Sequence, residues 1–133
     1  MRVAADANVL FSALIGGKAG WLRRHPAIEE ALTTEFTLTE VHEYAAHLAR
    51  KRGLAVDLVM LAAALPVTTI PQSEYRRALP EARRRIGKRD PDDVELLALA
   101  IQFGIAVWSN DHDFEDAGVT WHTTASLPAV LEG

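Results

Sequence analysis

Residues 90–114, DPDDVELLALAIQFGIAVWSNDHDF, hold the pattern that decides the fold of this 133-residue chain. Asp90 followed by proline is typical of a helix start, and the apolar run 94–103 predicts a helix buried on nearly all sides. Gly104 ends that helix, and residues 105–108 then predict a buried strand that leads into an acidic loop. A buried helix followed by a buried strand is typical of a parallel sheet covered by helices.

The same alternation of strands and helices extends over the rest of the chain. Further strands are predicted at residues 2–5, 36–38, 67–70 and 119–121. A first helix is predicted over residues 8–14 and ends at Gly16-Gly17, and a second is predicted over 21–32, where Pro26 can break it. A third begins with a Thr37–Glu40 capping box and ends at Gly53. Further helices are predicted over 55–65, 75–86 and 127–131. We therefore expect one α/β domain over residues 1–133, a three-layer α/β/α fold with a central parallel sheet and helices on both faces.

Composition excludes several classes of function. The chain has no cysteine, which rules out disulfides, zinc–thiolate sites and thiol catalysis. The formal net charge of −4 argues against a uniformly cationic nucleic-acid binder. No stretch reaches the ~18 apolar residues of a membrane span, and the apolar start of the chain is interrupted by an acid. A soluble cytoplasmic protein is expected.

Four acidic residues stand where an α/β fold would bring them together. Asp6 and Asp111 follow predicted strands, and Asp93 lies in the first turn of the helix before the second of those strands. Glu43 lies on the polar face of its helix. Ligands bind beyond the carboxyl ends of parallel strands, and gathered carboxylates repel one another unless a cation shares the site. The pattern therefore predicts a site for a hard divalent cation.

Each acid also has a purely structural interpretation. Asp6 and Asp93 can cap helices, and the latter can complete a capping box with Asp90. Glu43 can belong to a solvated face and contact a histidine one turn later. Asp111 lies in a loop where acids commonly fix turns. The joint placement of the four at one end of one sheet is what favours the metal site.

The basic residues are distributed unevenly. Seven of the 14 Lys and Arg residues lie between Arg76 and Arg89, flanking the apolar stripe of a predicted helix. Such a stripe is most often a solvated helix face whose aliphatic stems cover the core. It can also contact the phosphates of a nucleic acid, or an acidic partner.

The sequence resembles a PIN domain, the nuclease fold of VapC-type toxins and related RNases. The resemblance is carried by VAADANVLFSAL, TEVHEYAAHLARKRG and DPDDVELLALAIQFGIAVWSNDHDF, which cover nearly the whole chain in the family's order. It implies the metal ligands Asp6, Glu43, Asp93 and Asp111 as catalytic residues, with Asn8 and Ser109 in support. Glu40 is the alternative to Glu43 in register, but its place in the predicted capping box favours Glu43. Asp113 is the alternative fourth acid.

The family also implies an activity and partners. The expected activity is Mg²⁺- or Mn²⁺-dependent cleavage of an RNA phosphodiester bond by activated water. The expected partners are an RNA substrate, a second copy of the chain in a homodimer, and the antitoxin of a toxin–antitoxin pair. The alternatives are an RNA-processing PIN protein that is no toxin, a haloacid-dehalogenase-like phosphatase with Asp6 as nucleophile, and a non-catalytic module that binds RNA or a partner.

Overall fold

The central sheet is parallel throughout and has five strands in the part of the chain that the structure describes. The structure is a computed structural model that describes residues 1–14, 18–52 and 66–132. The strands are β1 (Arg2–Ala5), β2 (Glu30–Thr34), β3 (Thr68–Ile70), β4 (Ala106–Trp108) and β5 (Trp121–His122), in the order β3-β2-β1-β4-β5. The chain moves outward from β1 first on one side and then on the other, so strand order reverses between β1 and β4.

Helices separate consecutive strands, as the sequence predicts, except β4 and β5, between which the chain forms a short 3₁₀ turn. The helices are α1 (Ala7–Leu14), α2 (Lys18–Arg23), α3 (Glu35–Arg52), α4 (Leu79–Ile86), α5 (Val94–Phe103) and α6 (Leu127–Glu132). Short 3₁₀ turns precede α4 and α5, and a further one follows β4. The helix predicted over 55–65 and the predicted end of the first helix at Gly16-Gly17 lie outside the described residues. None of the described helices has the length and apolar character that crossing a membrane requires.

Alternate residues of β1 divide the core into two layers. Val3 and Ala5 pack with α1, α2 and α6 on one face, whereas Ala4 packs with α4 and α5 on the other. All three of these strand residues are at most 1% exposed. Burial of the strand on both faces explains why residues 3–5 are apolar without a break. The predicted three-layer α/β/α fold is confirmed.

Two predicted elements between α1 and α3 are wrong. The helix expected over 21–32 ends at Arg23, and residues 30–34 form β2, whose buried residues pair with β1. The strand expected at 36–38 is instead the first turn of α3, in which Phe36 is 44% exposed. Thr34 caps that helix, since its Oγ1 accepts the backbone N–H of Thr37 at 2.9 Å. The capping box predicted from Thr37 to Glu40 is therefore wrong as well.

Both ends of α5 form as the sequence predicts. Asp90 accepts the backbone N–H of Asp92 at 3.1 Å and so caps the turn that opens the helix. At the other end Gly104 adopts φ +64°, and its N–H bonds to the carbonyl of Ile101. The N–H of Ile105 reaches back to the carbonyl of Ala100 at 3.1 Å. This is a Schellman motif, which turns the chain directly into β4.

We predict that Gly104→Ala lowers the free energy of unfolding by about 1 kcal/mol, because an L side chain is disfavoured in the left-handed region. A Cβ at this position meets no atom within 4 Å, so the loss is conformational and not steric. Urea unfolding measures it. Gly104→Asn is the matched control and should lose less, since asparagine tolerates this conformation. Equal stability of wild type and Gly104→Ala would contradict the assignment.

Candidate metal centre

Asp6 lies at the carboxyl end of β1, beside the end of β4. Its backbone N–H donates to the carbonyl of Trp108 at 3.0 Å, which extends the β1–β4 ladder by one residue. Its side chain is only 7% exposed. One carboxylate oxygen, Oδ1, accepts the backbone N–H of Ala7 at 2.7 Å, and Oδ2 accepts the hydroxyl of Ser109 at 2.6 Å. The residue therefore contacts the start of α1 and also faces the strand-order reversal.

Asn8 and Ser109 connect the two strand ends around Asp6. The Asn8 amide donates to Asp6 Oδ2 at 3.2 Å, and its carbonyl oxygen accepts the backbone N–H of Asn110 at 3.1 Å. Ser109 is fully buried, and its Oγ accepts the backbone N–H of Asp111 at 3.0 Å. Both residues predicted to support Asp6 thus contact it directly. They also hold the loop that carries the next acid.

Four acids gather at the turn before α5 and the loop after β4. Each of Asp90, Asp93, Asp111 and Asp113 offers a carboxylate oxygen, and these atoms all lie within 4.8 Å of one another. Asp93 is 7% exposed, and its Oδ2 has no hydrogen-bond partner among the described residues. Asp6 is not one of these four residues, but its negative charge contributes to the raised pKa of Asp93.

Burial and mutual repulsion raise the pKa values of these acids. Burial is the main cause of the raised pKa of Asp93, and the negative charge of Asp6 adds to it. Burial also raises the pKa of Asp6, against the hydrogen bonds from Ser109 and Ala7. The pKa of Asp113 is raised chiefly by the charge of Asp111. The site resists carrying several negative charges at once, which is the condition under which a divalent cation binds strongly.

Glu40, on α3, is affected by the charges of acids at this site. It is half-buried, and its pKa is raised to about 7 by burial and by the charges of Asp92, Asp6 and Asp90. Glu43, the acid preferred from the sequence, is exposed one turn further along α3. The preference for Glu43 depended on a capping role for Glu40, and that role is absent because Thr34 caps the helix.

Glu40 and Glu43 both line a groove between α1 and α3. The groove has a volume of about 660 Å³, and its walls include Asn8 and the aromatic pair Phe11 and Tyr44, whose ring centroids are 4.6 Å apart. Tyr44 is 53% exposed. The groove is open and joins the acid group through Asn8 and Glu40. One side of the candidate centre is therefore apolar and acidic.

Sequence reasoning missed one member of the acid group and ranked another as secondary. Asp90 was interpreted only as a helix cap, although its carboxylate lies among the other acids. Asp113 is predicted as a supporting residue or as the alternative to Asp111, and the structure places both acids in the group. The sequence does contain two clusters of acids, DPDD before α5 and DHD after β4. Neither cluster by itself indicates that these two segments face each other in the fold.

Several solved structures resemble this fold. A chain of the VapBC2 complex of Rickettsia felis, bound to a DNA fragment from its promoter, has a TM-score of 0.72 at 11% identity, covering 92% of this chain and 98% of that one. A chain of VapBC-1 from nontypeable Haemophilus influenzae has a TM-score of 0.67 at 11% identity, covering 94% and 99%. VapC20 of Mycobacterium tuberculosis, a toxin that cleaves the sarcin–ricin loop, has a TM-score of 0.59 at 20% identity, covering 89% and 96%.

Identities this low establish the fold alone, and the family is established by sequence. No curated protein matches the chain significantly in sequence. The model of the PIN domain family matches residues 4–132, from the middle of β1 to the last residue of α6. The match includes Asp6, the α3 acids and the acid group around α5. The chain belongs to the PIN domain family.

Proposed function

We propose that this protein is a metal-dependent endoribonuclease that acts as the toxin of a toxin–antitoxin pair. The observation that carries the proposal is the crowding of carboxylates at the reversal of strand order, where the buried Asp93 Oδ2 lacks a partner among the described residues. Membership of the PIN domain family supports nuclease activity. The fold shared with VapBC complexes and with VapC20 supports the toxin role.

The residues at this site fit a Mg²⁺ or Mn²⁺ ion. The donors are carboxylate oxygens, which hard divalent cations prefer, and the described residues place no cation within salt-bridge distance of any of them. Asp6, Asp93 and Asp111 would hold the ion, together with an acid from α3. We propose that this α3 acid is Glu40 and not Glu43, because Glu40 is half-buried and feels the charge of Asp6. Asp113 and Asp90 lie close enough to assist.

When bound, the ion would supply a Lewis acid that makes attacking water more acidic and offsets charge on the phosphoryl oxygens. Two neighbouring side chains position Asp6 for the ion. Asn8 and Ser109 both donate to Asp6 Oδ2, so they fix the rotamer of that carboxylate and favour its charged form. Ser109 and Asn8 also hold the loop that bears Asp111. The carboxylates repel phosphate when no cation is bound, so a bound cation strengthens the binding of substrate.

The acids interpreted as helix caps do not suffice to explain the site. Asp90 does cap a turn, but the side chain of Asp93 makes no capping hydrogen bond. A solvated or capping carboxylate has no reason to be buried without a partner. The phosphatase alternative is also not favoured, because Asn8 stands two residues after Asp6, where that class needs an acid.

The proposed partners follow from the same resemblance. Two of the similar structures are complexes of the VapBC type, and VapC20 cleaves an RNA loop. For this chain we propose an RNA substrate, an antitoxin and a homodimer. Induction of the chain in a bacterial host, with and without a candidate antitoxin, separates a toxin from an RNA-processing enzyme, since only the toxin stops growth.

We predict that Asp93→Asn and Asp6→Asn each abolish Mn²⁺-dependent cleavage of RNA, because each removes a charge that holds the ion. The measurement is gel analysis of total RNA and of synthetic oligonucleotides, with Mn²⁺ and then with chelator. Asp116→Asn is the control, an exposed acid outside the group that should retain activity. Full activity in both Asp93→Asn and Asp6→Asn would refute the mechanism.

We predict that Glu40→Gln abolishes cleavage whereas Glu43→Gln retains most of it. The two substitutions are matched, since both remove one charge from α3 one turn apart. Only Glu40 is half-buried against the other acids. The same RNA assay, with circular dichroism as a check of folding, measures the difference. If Glu43→Gln loses cleavage and Glu40→Gln does not, the α3 ligand is Glu43, as the sequence predicts.

We predict that the metal-free protein loses stability as pH rises from 4.5 towards 7. The pKa of Glu40 is raised from 4.5 to about 7 in the folded state, so across this window the folded protein retains a proton that the unfolded chain has lost. Stability from this residue is therefore complete below pH 4.5 and is lost above about 7. Thermal unfolding in chelator measures it.

Added Mn²⁺ should raise the midpoint of thermal unfolding most at the alkaline end of this pH range, since a ligand that binds only the folded state stabilises it. Asp93→Asn should show a smaller rise. A metal-free stability that increases through this pH window would contradict the assignment.

A further inference from the structure

A second groove lies beside the turn that opens α5. It has a volume of about 420 Å³ and lies between the first turn of α3, the end of α4 and the start of α5. Pro91 and Val94 form part of its floor, and they stand directly beside Asp90 and Asp93 in the chain. The groove therefore opens next to the acids without sharing their carboxylates.

Two cations and an exposed aromatic ring line this groove. Arg83 and Lys88 are both exposed, and neither forms an ion pair with another residue that the structure describes. Phe36 is 44% exposed although it is a large apolar side chain. The one acid of the lining, Glu95, is half-buried and accepts a hydrogen bond from Gln72 at 2.7 Å. The lining therefore carries a net positive charge.

Other members of the basic stripe are occupied by the protein itself. Arg84 and Arg85 both pair with Glu81, and Arg85 also donates to the carbonyl of Ala117 at 2.9 Å. Arg89 donates to the carbonyl of Asp113 at 3.3 Å. The stripe thus has two parts. In one part, Arg85 and Arg89 join α4 and the turn after it to the loop after β4. In the other part, Arg83 and Lys88 line the groove.

We propose that this basic groove, formed by Phe36, Arg83 and Lys88, binds single-stranded RNA beside the scissile phosphate. The inference rests on the proposed nuclease function and names where its substrate lies. Lys and Arg side chains neutralise backbone phosphates, and an exposed aromatic ring stacks on a base of any sequence. Together they form the usual surface for a single strand, whose bases are free to stack.

Charge also decides which of the two grooves the RNA follows. The groove between α1 and α3 is lined by Glu40 and Glu43, and no Lys or Arg occurs among the described residues of its lining, so it repels a polyanion. The basic groove attracts one, and Pro91 and Val94 in its lining are the chain neighbours of Asp90 and Asp93. An RNA strand that enters over Lys88 and Arg83 reaches the acid group with its phosphates paired.

The test uses the full-length chain and a fluorescein-labelled single-stranded RNA of mixed sequence. Binding is measured by anisotropy in chelator, which prevents metal-dependent cleavage, over a range of salt concentrations. The double variant Arg83→Gln/Lys88→Gln should lower the slope of log affinity against log salt by about 1.4, which corresponds to two lost phosphate contacts. Phe36→Ala should weaken binding about tenfold with no change in that slope.

Matched variants serve as controls. Arg50→Gln/Lys51→Gln removes the same charge from exposed positions at the far end of α3 and should leave the slope unchanged. Phe36→Tyr keeps a stacking ring and should bind as wild type does. Cleavage assays with Mn²⁺ on the same variants should show a raised KM and little change in kcat.

Three outcomes would overturn the inference. If wild type cleaves RNA while the groove variants match it in affinity and salt slope, the groove is not an RNA site although the nuclease function stands. If the variants change sedimentation of the protein and leave RNA binding intact, the groove is an interface with a second copy. If wild type neither binds nor cleaves RNA, the proposed function fails together with this inference.

Discussion

Repulsion among carboxylates at the carboxyl ends of β1 and β4 is the constraint on which the candidate centre depends. Asp6, Asp93 and their neighbours are held close by buried backbone, so they cannot separate to relieve the charge. The sheet supplies the free energy that keeps them together, because each strand residue of β1 from Val3 to Ala5 is fully packed. The protein thus stores an electrostatic penalty that a divalent cation relieves.

The register of β1 against β4 fixes the positions of the acids. Ala5 pairs with Trp108, so the next residues, Asp6 and Ser109, stand side by side and form a hydrogen bond of 2.6 Å. Asn8, in the first turn of α1, reaches across to the backbone of Asn110. A shift of register by one residue would move Asp6 away from Ser109 and separate the acids. The centre is therefore a direct product of how β1 and β4 pair.

The surroundings of the centre are asymmetric in charge, and this asymmetry suits a nuclease. One neighbouring groove is apolar and acidic, and the other presents Arg83 and Lys88. Under the proposed function, a polyanionic substrate is attracted from the side of Arg83 and Lys88, which sets its path before any chemistry occurs. The proposed substrate-binding residues and the proposed ion-binding residues can therefore be mutated separately. RNA binding in chelator reports on the first set, and cleavage with metal reports on the second.

The sequence by itself determined the parallel α/β fold and the positions of Asp6, Asp93 and Asp111, because strand ends and helix starts can be read from local apolar patterns. It misplaced β2, where buried pairing with β1 overrode local helix signals, and it predicted a strand at residues 36–38, where α3 begins. Only the tertiary structure placed Asp90 and Asp113 in one group with Asp93 and Asp111, and brought Glu40 within range of the charge of Asp6. Which turn of a helix approaches a distant strand depends on packing between layers, and no local spacing encodes that.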